Sequence, residues 1–205
     1  FREREKIVDT LDQICGNRIT YNYIRIGGVQ FDLPAGADEK IREFIKYMRP
    51  KIDDYDRLIT YNAIFLARSK QVGVLSKDMA INYSITGPNL RGSGVKWDLR
   101  KDEPYLAYDK FEFDVPVGEN GDAWDRYKVR VEEMRQSLRI VEQAINTLPE
   151  GDPTVKVGRI HKPPPSETYL RTENPRGELG FYIVSDGSAY PYRLKIRSPS
   201  FSNLA

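Results

Sequence analysis

The stretch GDAWDRYKVRVEEMRQSLRIVEQAINTL, residues 121–148, decides how this chain is built. Trp124, Tyr127, Val131, Met134, Leu138, Val141, Ile145 and Leu148 are spaced alternately three and four residues apart. That spacing predicts one apolar stripe along a single helix, roughly 40 Å long at 1.5 Å per residue. Asp125, Arg126, Lys128, Arg130, Glu132, Glu133, Arg135, Arg139 and Glu142 fill the remaining face and read as solvated charges. Asp122 is expected in the first turn, where the helix dipole favours a negative charge. Pro149 stops the helix. A stripe of this kind packs a core helix and carries no reaction.

Outward from this helix the pattern stays mainly helical. A first helix is expected over Arg2–Cys15, with Ile7, Leu11 and Ile14 inward and Gly16 as its stop. A second is expected over Asp38–Thr60, its buried side marked by Ile41, Phe44, Ile45, Met48, Ile52, Tyr55 and Leu58. Pro50 is expected to kink or divide it. Ser76 has the chemistry of an N-cap for a short helix through SKDMAINYS. TGPNLRGSGVKWDLRKDEPY, residues 86–105, reads as irregular. Phe111, Phe113 and Val115 alternate with polar residues as in a short strand. Residues 150–168 are proline-rich and read as a surface connection. Leu179–Val184 and Tyr190–Ile196 read as two strands joined through Ser185-Asp186-Gly187-Ser188. The expectation is an α+β chain: a helical core with a long amphipathic helix and a small antiparallel β portion.

Composition narrows the function classes. The 32 basic and 30 acidic residues leave a net charge of +2, which gives no basic footprint for nucleic acid. No apolar run is long enough to cross a membrane. The one cysteine, Cys15, excludes a disulfide framework or a cluster held by this chain alone. The one histidine, His161, leaves little for a zinc site or a Ser-His-Asp triad, so no metal ligands are assigned. Cys15 reads as packed and His161 as a solvated loop residue. RGSGVKW lacks the Lys-Ser or Lys-Thr ending of a phosphate loop. Glu173 and Glu178 near Arg176 suggest a structural ion-pair network. Arg25 stands out, set among Tyr23, Ile24 and Ile26 before Gly27-Gly28. A buried guanidinium needs acceptors, and the glycines let the backbone approach something closely. The residues alone leave open whether Arg25 is a structural arginine braced by a carboxylate or part of a site.

FREREKI (1–7), YIRIGGVQFDLPAG (23–36), INYSITGPNLRGSGVKWDLRK (81–101), GENGDAWDRYKVRVEEMRQSLRI (118–140) and RGELGFYIVSDGS with PYRLKIRSPSFSNL (176–204) together resemble the 49 kDa (D-type) subunit family of respiratory complex I. The resemblance covers nearly the whole chain in order. It implies a fold like the large subunit of nickel–iron hydrogenases, without the metal site. It implies one partial domain over residues 1–205, the central and later portion of a longer polypeptide. The function it implies is that of a peripheral-arm subunit of an NADH-quinone oxidoreductase, enzymatic only within the complex. Such a subunit lines the quinone cavity beside the terminal iron–sulfur cluster, and electron transfer there is coupled to proton translocation.

The implied substrate is quinone, with flavin and iron–sulfur clusters held by partner subunits. The implied partners are the terminal-cluster subunit, the 30 kDa-type subunit and the membrane-arm subunits, with the complex on the cytoplasmic side of the inner or cell membrane. The family's quinone-headgroup residues lie upstream of Phe1, so no catalytic residue is assigned. The residues carried over as proximal to quinone and cluster are Arg18, Thr20, Arg25, Gly27 and Gly28. Many relatives carry a titrating histidine at the position of Thr20, which leaves the donor open between NADH, ferredoxin and a deazaflavin. A non-catalytic scaffold and a membrane-bound hydrogenase large subunit are the alternative readings. Made alone, residues 1–205 are expected to be poorly soluble or molten.

Overall fold

The computed structural model describes residues 1–158 and 160–204. The chain falls into two compact units, Phe1–Asp54 with Val141–His161 and Tyr55–Ile140 with Lys162–Ala205. The mixture of helices and small antiparallel sheets is the expected α+β class.

In the first unit, helix α1 spans Arg2–Cys15 and ends at Gly16, whose left-handed backbone (φ 70°) returns its N–H to the Asp12 carbonyl. Its buried residue is Val8; of the residues expected inward, Leu11 and Ile14 are half-buried and Ile7 is exposed. A two-residue hairpin follows, β1 (Ile24–Arg25) against β2 (Gly28–Val29). Helix α2, Ala37–Tyr55, runs on through Pro50 without division and buries Ile45, Met48 and Ile52. Lys40 Nζ donates to Gln13 (2.6 Å) and Tyr47 OH to Glu3 (3.3 Å), tying α2 to α1.

The second unit begins with a π-helical turn, Asp56–Thr60. The wider turn breaks the 3.6-residue phase, so Leu58, expected inside, is exposed while Thr60 is fully buried. Asn62 caps α3 (Ala63–Ser69), accepting from the Ile64 and Phe65 N–H groups. Ser76 caps α4 (Lys77–Asn82), as its chemistry predicts. The glycine-rich stretch that reads as irregular forms two short helices, α5 (Pro88–Gly92) and α6 (Leu99–Asp102), and contains some of the most buried residues of the chain. Ala80, Ile85 and Leu90 form a core cluster covered by Leu75, Val95 and Trp97. The expected strand at Phe111–Val115 does not form, and Phe113 is buried beneath the Arg100 guanidinium, 5.0 Å from its ring centre.

Helix α7 spans Ala123–Asn146, so Asp122 precedes the first turn and acts as its cap. Its carboxylate accepts from the N–H groups of Asp125 (2.8 Å) and Gln71 (2.9 Å). The expected stripe is buried at Val131 and Leu138, whereas Val141 and Leu148 are exposed. Asp125, Val129 and Ile140, outside the stripe, are also buried, because loops pack on a second side: Asp125 receives the Glu119 and Asn120 N–H groups.

A three-stranded antiparallel sheet completes this unit: β3 (Ser166–Asn174), β4 (Gly177–Ser185) and β5 (Arg193–Arg197), in that order. Strand β3 takes up the end of the proline-rich segment that reads as a connection. The register aligns Leu170, Phe181 and Ile196 on one row and Thr168, Ile183 and Leu194 on the next, leaving an apolar face on which Leu170, Ile183, Leu194 and Ile196 are exposed. The tight β3–β4 turn meets the segment before α5, where Gly87 lies against the Gly177 backbone and a Cβ on either glycine would overlap main-chain atoms. Thr86 Oγ1 accepts the Glu178 N–H there (3.0 Å). A last helix, α8 (Pro199–Asn203), donates from Asn203 Nδ2 to the Arg176 carbonyl.

Candidate functional site

The residues carried over from the family resemblance fall on the segment between α1 and α2. Asn17 organises its start by accepting the Ile19 and Thr20 N–H groups on Oδ1, and its Nδ2 donates to Thr20 Oγ1 (2.9 Å). Arg18 turns back onto α1 and pairs with Asp9 and Glu5, both at 2.6 Å. Arg25, at the hairpin tip, is exposed and donates to Gln30 Oε1 (2.9 Å). It is braced by an amide oxygen rather than a carboxylate. Ile24 and Ile26 beside it are largely exposed, so this cation is presented among apolar side chains rather than enclosed.

The two glycines have the close approach that the sequence suggests. Gly28 (φ 147°) bridges Thr154, and the Val29 N–H donates to the Pro153 carbonyl (3.0 Å). The Val155 N–H donates to the Gly27 carbonyl (2.9 Å). A Cβ on Gly28 would overlap the Pro153 carbonyl oxygen. The proline-rich segment is therefore more than a connection: residues 153–155 clamp the hairpin. The structure gathers Arg25, Gly27 and Gly28 on one hairpin, while Arg18 and Thr20 belong to the turn before it. His161 is exposed and Cys15 half-buried. Among the described residues, no three His, Cys, Asp or Glu side chains are grouped to hold a metal ion.

The buried charge lies elsewhere, in the second unit. Arg91 on α5 is 2% exposed. Its Nε and Nη2 reach Glu133 Oε1 of α7 at 2.8 and 2.7 Å, and its Nη1 reaches the Trp97 carbonyl at 2.8 Å and Glu173 Oε1 of β3 at 3.0 Å. Asp98, fully buried, caps α6 and accepts two bonds from the Arg100 guanidinium, at 3.0 and 2.7 Å. Burial alone would raise the Asp98 pKa, but the Arg100 bonds outweigh it and hold it below the usual range. Burial raises both Glu133 and Glu173, against the opposing pull of Arg91.

Glu133 is thus not a solvated helix charge, and Glu173 pairs with Arg91 rather than Arg176. Glu178 pairs with Arg171 (3.3 Å). The signal that singles out Arg25, an arginine in an apolar glycine-rich stretch, occurs again in Asn89-Leu90-Arg91-Gly92-Ser93-Gly94, and there it marks the enclosed cation.

The family described as "Respiratory-chain NADH dehydrogenase, 49 Kd subunit" matches residues 1–164 and 155–205. Among curated proteins, the D subunits of NADH-quinone oxidoreductase from Bacillus mycoides and Bacillus anthracis are each 55% identical over all 205 residues, and the one from Bacillus cytotoxicus is 53% identical. The alignment covers 100% of this chain and 56% of each relative, so the chain spans about half the length of the curated relatives it matches. The family's description is of a respiratory-chain dehydrogenase subunit and the relatives' names are of an oxidoreductase subunit. The chain belongs to the 49 kDa subunit family of the respiratory-chain NADH dehydrogenase.

Proposed function

We propose that this chain is part of the quinone-reducing, peripheral portion of an NADH-quinone oxidoreductase of the complex I type, working as one subunit among several. The observation that carries the reading is the unbroken match, 55% identical over every residue, to the D subunits of such enzymes. The chain supplies one wall of the quinone cavity, next to an iron–sulfur cluster held by a partner subunit. The 30 kDa-type subunit and the membrane-arm subunits complete the assembly, which couples quinone reduction to proton translocation on the cytoplasmic side of the membrane. No helix among the described residues is long and apolar enough to cross a membrane, which agrees with a peripheral position.

The Arg25 hairpin is the part of this chain turned toward the cluster and quinone. A guanidinium held among exposed apolar side chains suits that role: when a partner covers Ile24 and Ile26, the cation loses solvent and its field strengthens. A fixed positive charge there raises the electron affinity of a nearby cluster. Arg18 and Thr20 belong to the turn that precedes the hairpin, Arg18 anchoring it to α1 and Thr20 to Asn17.

The test is a donor survey on the complex isolated from its host through a tag on this protein. Inhibitor-sensitive reduction of a quinone analogue by NADH is the expected result. No quinone reduction with NADH, reduced ferredoxin or reduced deazaflavin, in an intact complex, would overturn the reading in favour of a scaffold or a hydrogenase subunit. A second reading, with ferredoxin or deazaflavin as donor, is favoured by one observation: Thr20 offers a hydroxyl that does not titrate where many relatives are expected to carry histidine.

A further inference from the structure

The Arg25 hairpin is too small to hold itself. Strands β1 and β2 pair only Ile24 with Val29 and Arg25 with Gly28, and a two-stranded piece of this size is marginal in water. Its own bonds close around the arginine. The Gln30 N–H donates to the Tyr23 carbonyl (2.8 Å), the Tyr23 hydroxyl donates to the Phe31 carbonyl (2.7 Å), and the Arg25 guanidinium donates to Gln30 Oε1 (2.9 Å). The cation on β1 is thus tied to the residue that follows β2, and where β2 stands, Arg25 stands.

What fixes β2 is the segment from Pro153 to Val155. The Val29 N–H donates to the Pro153 carbonyl, the Val155 N–H donates to the Gly27 carbonyl, and Thr154 lies opposite Gly28 and adds its hydroxyl to the Gly27 carbonyl (3.4 Å). Strand β2 is therefore the middle of a three-stranded patch, with β1 and its arginine on one side and Pro153–Val155 on the other. The fit leaves no room for side chains between them. A Cβ on Gly27 would come to 3.0 Å from the Val155 carbonyl oxygen and from Val157 Cγ1, and one on Gly28 would overlap the Pro153 carbonyl. Among the described residues, no other segment hydrogen-bonds to the main chain of residues 24–29.

We propose that Pro153–Val155 is a positioning strap for the Arg25 charge: by fixing β2 it sets where the guanidinium stands, and so tunes the midpoint potential of the iron–sulfur cluster beside the quinone cavity. This rests on the reading of Arg25 as the cation turned toward that cluster. The energy of a charge in the field of another falls with their separation, and solvent exclusion magnifies the change, so a displaced guanidinium is felt as a shifted potential. The strap works through main-chain groups, the Pro153 carbonyl and the Val155 N–H. The Val155 side chain is 66% exposed, so the part of this residue that matters is its N–H.

The experiment is a redox titration of that cluster in the complex isolated from its host through a tag on this protein. Val155→Pro deletes the N–H that bonds Gly27 and is expected to lower the midpoint potential part of the way to the Arg25→Met value. Val155→Ala keeps the N–H and is expected to leave the potential where it was. In an Arg25→Met background, Val155→Pro is expected to add no further shift, because the strap acts only through the arginine. An unchanged potential in Arg25→Met overturns the reading of Arg25 and the strap with it. If Arg25→Met shifts the potential and Val155→Pro does not, or if Val155→Pro adds a shift of its own to Arg25→Met, the strap alone is overturned. If Val155→Pro does not assemble, Gly28→Ala strains the same contact from the hairpin side and takes its place with the same expected outcomes.

Discussion

Arg25 and Arg91 sit in similar sequence settings and have opposite surroundings. Arg91 is enclosed by three carboxylates, whereas Arg25 is exposed and held by Gln30. Arg91→Met strands buried carboxylates without their cation and is expected to cost about 3–5 kcal/mol. Arg25→Met removes an exposed side chain and should change stability by less than about 0.5 kcal/mol. Urea denaturation followed by tryptophan emission compares the two. The Arg25 change should instead lower the midpoint potential of the nearest cluster in the assembled complex, read by redox titration. Thr20→His places an imidazole beside Asn17 and is expected to make that potential fall with rising pH. A potential flat with pH in this variant counts against the assigned position of Thr20. At Gly28, alanine meets both a positive φ and the Pro153 carbonyl, so Gly28→Ala should loosen residues 153–155, seen as faster amide exchange at Val29 and Val155.

At the scale of elements, caps and periodicity are legible in the sequence because they act locally. The Ser76 cap, the Gly16 stop and the body of α7 follow from residue types a few positions apart. The features that escape such a reading depend on partners distant in sequence or on a change of helical phase. An unbroken 3.6-residue repeat puts Leu58 inside, and the π turn shifts it outward. Strand β3 carries adjacent Tyr169 and Leu170 among charges, so no alternation announces it; β4 supplies its pairing. Glu133 looks like any helix-surface glutamate until Arg91 arrives from 42 residues away. The hairpin glycines are legible because their freedom is intrinsic, whereas the bracing of Arg25 by Gln30 is not. For α7 itself, Asp122 both caps the helix and holds the Gln71 N–H at a positive-φ residue. Asp122→Ala is expected to cost about 1–2 kcal/mol. Asp122→Asn should recover most of that in the same denaturation measurement.

At the scale of the molecule, the buried charges predict a two-sided dependence of stability on pH. Asp98 has a lowered pKa, so its contribution is present above 3.8 and is lost as pH falls through the folded value. Glu133 and Glu173 have raised values, so theirs is fully present below 4.5 and lost as pH rises through the folded values. Melting temperature should therefore fall on both sides, and Glu173→Gln should flatten the alkaline side alone. The outer surface has its own consequence. Leu170, Ile183, Leu194 and Ile196 are exposed on one face of a three-stranded sheet, an apolar patch that water solvates poorly. Residues 1–205 produced alone should self-associate, and Leu194→Lys with Ile196→Lys should shift the elution toward the monomer in size-exclusion chromatography.

The contact of Gly87 with the Gly177 turn also has a genetic consequence. Each position already carries the smallest side chain available; a Cβ on Gly87 would strike the Arg176–Gly177 main chain, and one on Gly177 would strike the Thr86 main chain as well as its hydroxyl. A lesion at Gly87 therefore has no suppressor at position 177, nor the reverse, because nothing remains there to trim. Revertants of either lesion should restore glycine itself, and the two positions should stay fixed together as the rest of the α5 and β3–β4 surfaces drift.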